Sequence, residues 1–252
     1  TCALPISLRV RLPQLQQWLE GAPVDVIGLQ ELKLEDKDFP AEALAAAGWQ
    51  AAWSGQKTYN GVALLSRLPL ENVVSGIPGY DDPQRRVIAA TIEGVRVICV
   101  YVPNGQSLDS EKYPYKLDWL APLKDYLAAE IAQHPKLALV GDFNIAPDDR
   151  DVHDPSKFIG ATHVSEAERE SLRALEKWGM CDVFRRHHSD EKLFSWWDYR
   201  AGAFNQGHGM RIDLVMATES AAAKCRWISV DRQARKGDKP SDHAPVVVDI
   251  DV

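Results

Sequence analysis

The chain has 252 residues, 45% of them hydrophobic and 26% charged, with a formal net charge of −7. That is the composition of a folded globular chain long enough for one large core, and it excludes disordered and fibrous classes. No apolar run approaches the roughly 18 residues of a membrane helix, and the acidic balance excludes the uniformly basic surface common in nucleic-acid binders.

Thr1 to Ser7 (TCALPIS) has neither strand alternation nor helix periodicity. It carries no signal-peptide pattern, and without an initiating Met it is read as an atypical start rather than the native one. Leu12, Leu15, Trp18 and Leu19 fit one helical face, with Pro13 in the first turn and Gly21 as a stop. Val24 to Leu29 predicts a buried strand that ends at Gln30 and Glu31. Pro40 to Ala47 predicts a short helix, and Trp49 to Trp53 and Val62 to Leu65 predict neighbouring strands. VIAATI and VRVICVYV flank Glu93-Gly94, the pattern of a hairpin with a tight turn. Lys112 to Gln133 is the longest predicted helix. Leu137 to Val140 is a short apolar run, the mark of a strand buried on both faces.

Asp148 to Glu166 reads as a long polar loop, and Glu166 to Trp178 as an amphipathic helix stopped by Gly179. Strands are predicted over Lys192 to Tyr199, Arg211 to Ala217, Arg226 to Asp231 and His243 to Asp251. A Gly-rich loop is predicted over Ala201 to Gly209. No repeat or low-complexity linker interrupts the chain, so residues 1–252 are read as a single domain. Hairpins interrupted by a few helices predict a four-layer α/β sandwich, with two packed mixed β-sheets flanked by helices. Cys2, Cys99, Cys181 and Cys225 lack CxxC or zinc spacing, which suits a reducing cytoplasm, and Cys99 reads as a core residue.

The apolar strands share one feature: each ends or begins at a polar cluster. Val26 to Leu29 leads to Glu31, Val97 to Val100 to Tyr101 and Asn104, and Leu137 to Val140 to Asp142 and Asn144. Asp213 sits inside RIDLV, and Ser241-Asp242-His243 precedes Ala244 to Val248. In an extended chain residues i and i+2 share a side. Asp142 and Asn144 should therefore project together from a strand end, with Phe143 turned into the core. Taken singly, each residue has a structural reading: a solvated strand end, a rim aromatic, a turn cap or a structural histidine. Buried carboxylates need partners, so clusters that meet at one edge of a sandwich would build one site. Glu31 would give a hard divalent cation an oxygen ligand. A positioned base with histidine, amide and phenol donors would serve phosphoryl chemistry.

These stretches resemble the exonuclease III family of abasic-site endonucleases, within the endonuclease/exonuclease/phosphatase superfamily. The matching segments are LQELK (Leu29 to Lys33), YVPNG (Tyr101 to Gly105), GDFNIAP (Gly141 to Pro147), SWWDYR (Ser195 to Arg200), RIDLV (Arg211 to Val215) and SDHAPV (Ser241 to Val246). The resemblance runs from about Leu8 to the C-terminus. It implies Glu31 as the principal metal carboxylate and Asp142 as the residue that deprotonates or orients the attacking water. It implies Asn144 beside the phosphate and water, Tyr101 at the scissile phosphate, and Asp213 as a supporting acid. Asp242 is implied as the partner that orients His243, which polarises the phosphate. Asp142, Asn144, Asp242 and His243 join Glu31 as implied metal-site residues, for Mg2+ or Mn2+ in its place. Arg9, Lys33 and Asn104 fall where the family contacts the DNA backbone, and Arg85 and Arg86 are further candidates. Trp196, Met210 and Ile212 fall where the family forms an apolar pocket for a base-less sugar.

One departure stands out. The family's first strand ends in a pattern like WNVNS-LR, with an Asn that supports the metal, whereas this chain has ALPIS before Leu8. Leu4 and Ile6 occupy the Asn positions, and Pro5 removes a backbone donor where a central strand would need one. The resemblance implies a cytoplasmic, monomeric, Mg2+-dependent DNA repair nuclease acting on double-stranded DNA at abasic sites and 3′ ends. Two other readings compete: a superfamily phosphatase acting on a phospholipid or inositol phosphate, and a DNA-binding module inactivated by its altered start.

Overall fold

Two alternating hydrophobic faces per strand require cover on both sides of each sheet. The computed structural model describes residues 2–5 and 7–251, and for 2–5 and 9 the backbone alone. In chain order the strands are β1 (Cys2–Pro5), β2 (Val26–Gln30), β3 (Gln50–Ser54), β4 (Val62–Ser66), β5 (Glu71–Ser75), β6 (Val87–Ile92) and β7 (Val95–Tyr101). They continue as β8 (Leu137–Asp142), β9 (Met180–Asp182), β10 (Trp196–Trp197), β11 (Gly209–Met210), β12 (Asp213–Thr218), β13 (Cys225–Val230) and β14 (Val246–Ile250). The α-helices are α1 (Leu8–Gly21), α2 (Ala41–Ala46), α3 (Lys112–Gln133), α4 (Glu166–Lys177), α5 (Val183–His187), α6 (Ala203–Gln206) and α7 (Glu219–Ala222). Among the described residues, no helix is long and apolar enough to cross a membrane.

Two six-stranded sheets carry the fold, in the orders β13-β14-β1-β2-β4-β3 and β5-β6-β7-β8-β12-β9. Both are mixed, because β1–β2 and β7–β8 are parallel and the other neighbours antiparallel. One apolar cluster, with Val62, Leu64, Val97, Cys99, Val140, Val215 and Val246, lies between the sheets. A second, with Ile98, Leu139 and Leu214, packs under Trp119, Leu123 and Leu127 of α3 and Leu172 and Leu175 of α4. A third joins Leu15 and Leu19 of α1 and Leu44 of α2 to Ile27, Leu29 and Leu65. The result is four layers: helices, sheet, sheet, helices. At Gly28 the facing sheet leaves no room for a side chain. A Cβ there would lie 2.9 Å from a Val140 methyl and 3.0 Å from Cys99 Sγ.

The β6–β7 hairpin follows the expected register, with Ile92 opposite Val95. Its two turn residues, Glu93 and Gly94, both have positive φ (49° and 76°), which matches the twist of paired strands. The first segment departs from expectation. Cys2–Pro5 does form a strand, parallel to β2 from Cys2↔Ile27 to Pro5↔Gln30, while its pairing with β14 stops at Ala3. Pro5 therefore sits at a strand end, where a missing N–H is tolerated. The side chains at Leu4 and Ile6 lie outside the described residues. α1 begins at Leu8, earlier than the periodicity indicated, so Pro13 falls inside it. Of Lys192 to Tyr199 only Trp196–Trp197 is strand, and the loop after it contains the short α6. The strand predicted from Arg211 starts at Asp213.

Candidate active site

The alternation that fills the space between the sheets also delivers the polar groups to their mouth. On β7, β8 and β12 the residues facing the other sheet run Val97-Cys99-Tyr101, then Val140-Asp142, then Ala217-Val215-Asp213. Tyr101 lies beside Asp142 across the parallel ladder, and Asp213 lies directly opposite Asp142 across the antiparallel one. All three end their runs at one level. The opposite sheet supplies Glu31, just past β2, and His243, which approaches through a bridge with Trp196. As expected, Phe143 turns away from Asp142 into the outer core.

Contacts link these groups into one constellation. Tyr101 donates its hydroxyl to Glu31 Oε1 at 2.5 Å, and Lys33 Nζ lies 3.2 Å from Glu31 Oε2. Asn144 donates its backbone N–H to Asp142 Oδ1 (2.9 Å) and its side-chain Nδ2 to Asp142 Oδ2 (3.1 Å). Asn104 Nδ2 donates to Asn144 Oδ1 at 2.9 Å. His243 Nδ1 meets both Asp213 oxygens at 2.9 and 3.1 Å. Its Nε2 lies 3.9 Å from Asp142 Oδ2. Ser195 Oγ accepts the backbone N–H groups of Ile212 and Asp213, which fixes the start of β12.

Asp242 departs from its expected role. Asp213, not Asp242, holds His243. The Asp242 carboxylate instead accepts the Trp196 indole N–H at 3.0 Å. Adjacent residues at a strand entry point different ways, so sequence adjacency to His243 does not bring the carboxylate to the ring.

The electrostatics follow from burial. Asp142 is 2% exposed. Burial first, and then the nearby Asp213 and Glu31 charges, push its carboxyl up to about 8, against the pull of His243 and the Asn144 N–H. For His243 burial alone would favour the neutral ring. The Asp213 carboxylate, helped by Asp142 and Asp242, outweighs it and raises the imidazolium to about 10. With Nδ1–H spent on Asp213, Nε2–H is the proton that faces the cleft. Burial, reinforced by Glu31 and Asp142, holds the Tyr101 phenol well above its usual range, so it stays a donor.

Carboxylate and imidazole atoms of Asp142, Asp213 and His243 lie within 4.8 Å of one another, but with both nitrogens of the His243 ring protonated it is the carboxylates that could hold a metal ion. The chemistry of the donors fits a hard divalent cation: Glu31 and Asp142 offer carboxylate oxygens with lone pairs to spare. A buried Asp142 raised by like charges is a group that such an ion would relieve.

The expected DNA contacts divide. Asn104 and Arg85 are exposed. Arg86 is not available as a surface contact: it is 8% exposed, donates to Gln84 Oε1 and to the Tyr101 carbonyl, and stacks over the Tyr101 ring. Lys33 pairs with Glu31. The Arg9 side chain lies outside the described residues. Met210 and Ile212 are 3% and 2% exposed and form one apolar cluster with Ala146, Val152, Phe158, Val164 and Trp196.

Sequence reasoning missed three residues beside the site. His163 places Nδ1 2.6 Å from the Asn144 carbonyl, and burial lowers its ring to about 4. Lys116 Nζ donates to the same carbonyl at 2.7 Å and is paired with Glu168 at 2.5 Å. Only Glu168 carried a local signal: Ser165 and Glu168 form a capping box at the start of α4.

The profile of the Endonuclease/Exonuclease/phosphatase family matches residues 9–243. The chain is 34% identical to exodeoxyribonuclease III of Haemophilus influenzae, with 95% of each covered. A 3′ phosphatase from Neisseria, solved bound to a product DNA hairpin, superposes with a TM-score of 0.98 and 45% identity, covering 100% of this chain and 98% of that one. An AP endonuclease from Archaeoglobus fulgidus superposes with a TM-score of 0.96 and 36% identity, covering 100% and 98%.

Proposed function

The chain belongs to the endonuclease/exonuclease/phosphatase family, in its exonuclease III branch of metal-dependent DNA repair nucleases, and we propose on that premise that it uses Mg2+ to hydrolyse double-stranded DNA at abasic sites and 3′ ends. The observation that carries this reading is the constellation at the sheet mouth. Asp142 faces His243 at 3.9 Å, with Asp213 behind the ring and Glu31 on Tyr101.

Glu31 and Asp142 would hold the cation, Mg2+ or Mn2+ in its place. When bound, it neutralises charge on the phosphoryl oxygens and lowers the Asp142 carboxyl. Asp142 accepts a proton from, or orients, the attacking water, while Asn144 keeps the carboxylate aimed. His243 donates Nε2–H to a phosphoryl oxygen, and Asp213 keeps that tautomer and charge in place. Tyr101 adds a phenol donor at the same phosphate. The water oxygen bonds to phosphorus as the ester oxygen departs. Asn104 and Arg85, both exposed, and Lys33 beside Glu31 are the backbone contacts the surface offers; Asp242 serves through Trp196 rather than through the metal.

A second reading limits the substrate to 3′ ends. The Neisseria relative is a 3′ phosphatase, and Met210 and Ile212, which an abasic-site enzyme would use for a flipped sugar, are closely packed with Val152 and Phe158. Cleavage of three duplexes, carrying an internal abasic site, a recessed 3′ end and a 3′-phosphate, each with and without Mg2+, tests both readings. Mg2+-dependent turnover of all three supports the first. Turnover of the 3′-end substrates alone supports the second. Hydrolysis of inositol phosphates with no DNA cleavage would overturn both.

A further inference from the structure

Lys116 of α3 and Glu168 of α4 are both 0% exposed in their side chains. An ammonium has three N–H donors, and Lys116 finds three acceptors: Glu168 Oε1 at 2.5 Å, the Asn144 carbonyl at 2.7 Å and the Asn104 carbonyl at 3.3 Å. Glu168 is equally engaged. It accepts from the backbone N–H groups of His163 and Ser165, both at 3.0 Å, and from the hydroxyls of Thr162 (2.9 Å) and Ser165 (2.7 Å).

A buried ion pair is a poor device for stability, since a well-packed apolar pair of the same volume is often as stable. Its use must lie in what it holds. Asn144 has φ +49°, a left-handed backbone uncommon outside glycine, which asparagine adopts more readily than most residues but which still has to be held in place at a strand end. Its carbonyl takes one bond from Lys116 and one from His163. Pinned there, its carboxamide reaches Asp142 Oδ2 and is reached by Asn104, whose own carbonyl Lys116 also holds.

We infer that Lys116, seated by Glu168, is a positioning residue for phosphate ester hydrolysis: it locks the Asn104 and Asn144 backbones so that the Asn144 carboxamide stays on Asp142. This rests on the DNA hydrolase reading above. Lys116 touches neither the phosphate nor the water; it acts through Asn144.

The test is the double variant K116M/E168Q, which removes both charges and leaves a glutamine able to accept from Thr162 and His163. Its melting temperature, its Kd for duplex DNA, its kcat and KM on the best DNA substrate, and its crystal structure are measured beside wild type. The expected result is a folded protein with Kd and KM within about threefold of wild type, a kcat lower by about 10–100-fold, and Asn144 out of the left-handed region. A folded double variant with wild-type kcat, or with Asn144 unmoved, overturns the inference. If the double variant does not fold, K116R decides. It keeps the charge but cannot place three bonds on the same acceptors, so positioning demands a lower kcat at unchanged KM, and wild-type kcat overturns the proposal. Should wild type itself cleave no DNA, the functional reading fails separately, and the position of Asn144 in the variant crystal still decides whether Lys116 sets it.

Discussion

Asp142 and Asp213 stand opposite each other on adjacent antiparallel strands, where like charges repel. His243 sits against both and offsets part of that repulsion. The cost left over is carried by Asp142, whose carboxyl is pushed up to about 8 by burial and its acidic neighbours. A carboxyl raised above its unfolded value near 3.9 binds protons in the native state between those two pH values. Native stability contributed by this group therefore falls as pH rises from about 4 to about 8. Asp142→Asn removes the titration. In metal-free buffer the variant should melt higher than wild type, and the gap should be larger at pH 8.5 than at pH 6. The same change should lower kcat by about 10²–10⁴-fold, the usual cost of a lost general base, with DNA binding nearly intact. Equal loss of binding and turnover, in filter-binding and single-turnover assays, would assign Asp142 a structural role instead.

At the scale of elements, β8 shows how a strand is made to end in chemistry. Gly141 has φ +147°, and a Cβ there would lie 1.9 Å from the Val100 carbonyl oxygen. No side chain fits against that backbone. Gly141→Ala should cost about 3 kcal/mol or more, within the range of severe single substitutions, read as a lowered urea midpoint. It should also reduce kcat, because Asp142 is the next residue. β1 poses a different question. The strand forms despite Pro5, so a version with Ala3 to Ser7 replaced by WNVNS should differ mainly by the asparagines it restores at positions 4 and 6. Water can replace a missing protein ligand to Mg2+. The replacement should therefore lower the Mg2+ concentration for half-maximal DNA cleavage without greatly changing the maximum rate. Coincident Mg2+ titrations would show that the restored asparagines contribute little.

For the whole molecule, a net charge of −7 does not forbid a DNA-binding face, because the charge is unevenly used. Carboxylates gather at the sheet mouth, and several arginines are spent inside: Arg211 on Asp151 and Asp182, Arg96 on Glu130, Arg86 on Gln84 and Tyr101. Arg85 remains exposed and Lys33 sits beside Glu31. Binding to duplex DNA should weaken steeply with salt, since each neutralised phosphate contributes about −0.9 to the slope of log K against log salt. Arg85→Ala should flatten that slope by about 1 and leave the melting temperature unchanged. Arg86→Ala should do the reverse, lowering stability through its lost bonds with little effect on the slope. Salt-independent affinity would favour a small phosphate ester as substrate.

Much of this protein is written in local order. The alternation of Val97, Cys99 and Tyr101, the run Leu137 to Val140 before Asp142, and the Glu93-Gly94 turn each depend on neighbours a few residues apart, so sequence alone determined these strands, the hairpin and the residues at their ends, though not β1, β5 or β9, which carry no such local pattern. It also determined the side to which Asp142 and Phe143 turn. Tertiary structure decided which partners meet. His243 lies one residue from Asp242 yet bonds Asp213, thirty residues away, because its bridge with Trp196 and the packing of the two sheets bring the ring to the end of β12. Arg86 reads as one of a surface pair, and only the β6–β7 packing turns it inward onto Tyr101. Met210 and Ile212 stand at the expected positions, and only the fold brings Val152 and Phe158, more than fifty residues earlier, against them. Lys116 and Glu168 are fifty-two residues apart on separate helices, and no periodicity within either helix encodes their meeting. Local geometry repeats every two or 3.6 residues and is legible in a short window. A contact between distant segments depends on how whole sheets and helices pack.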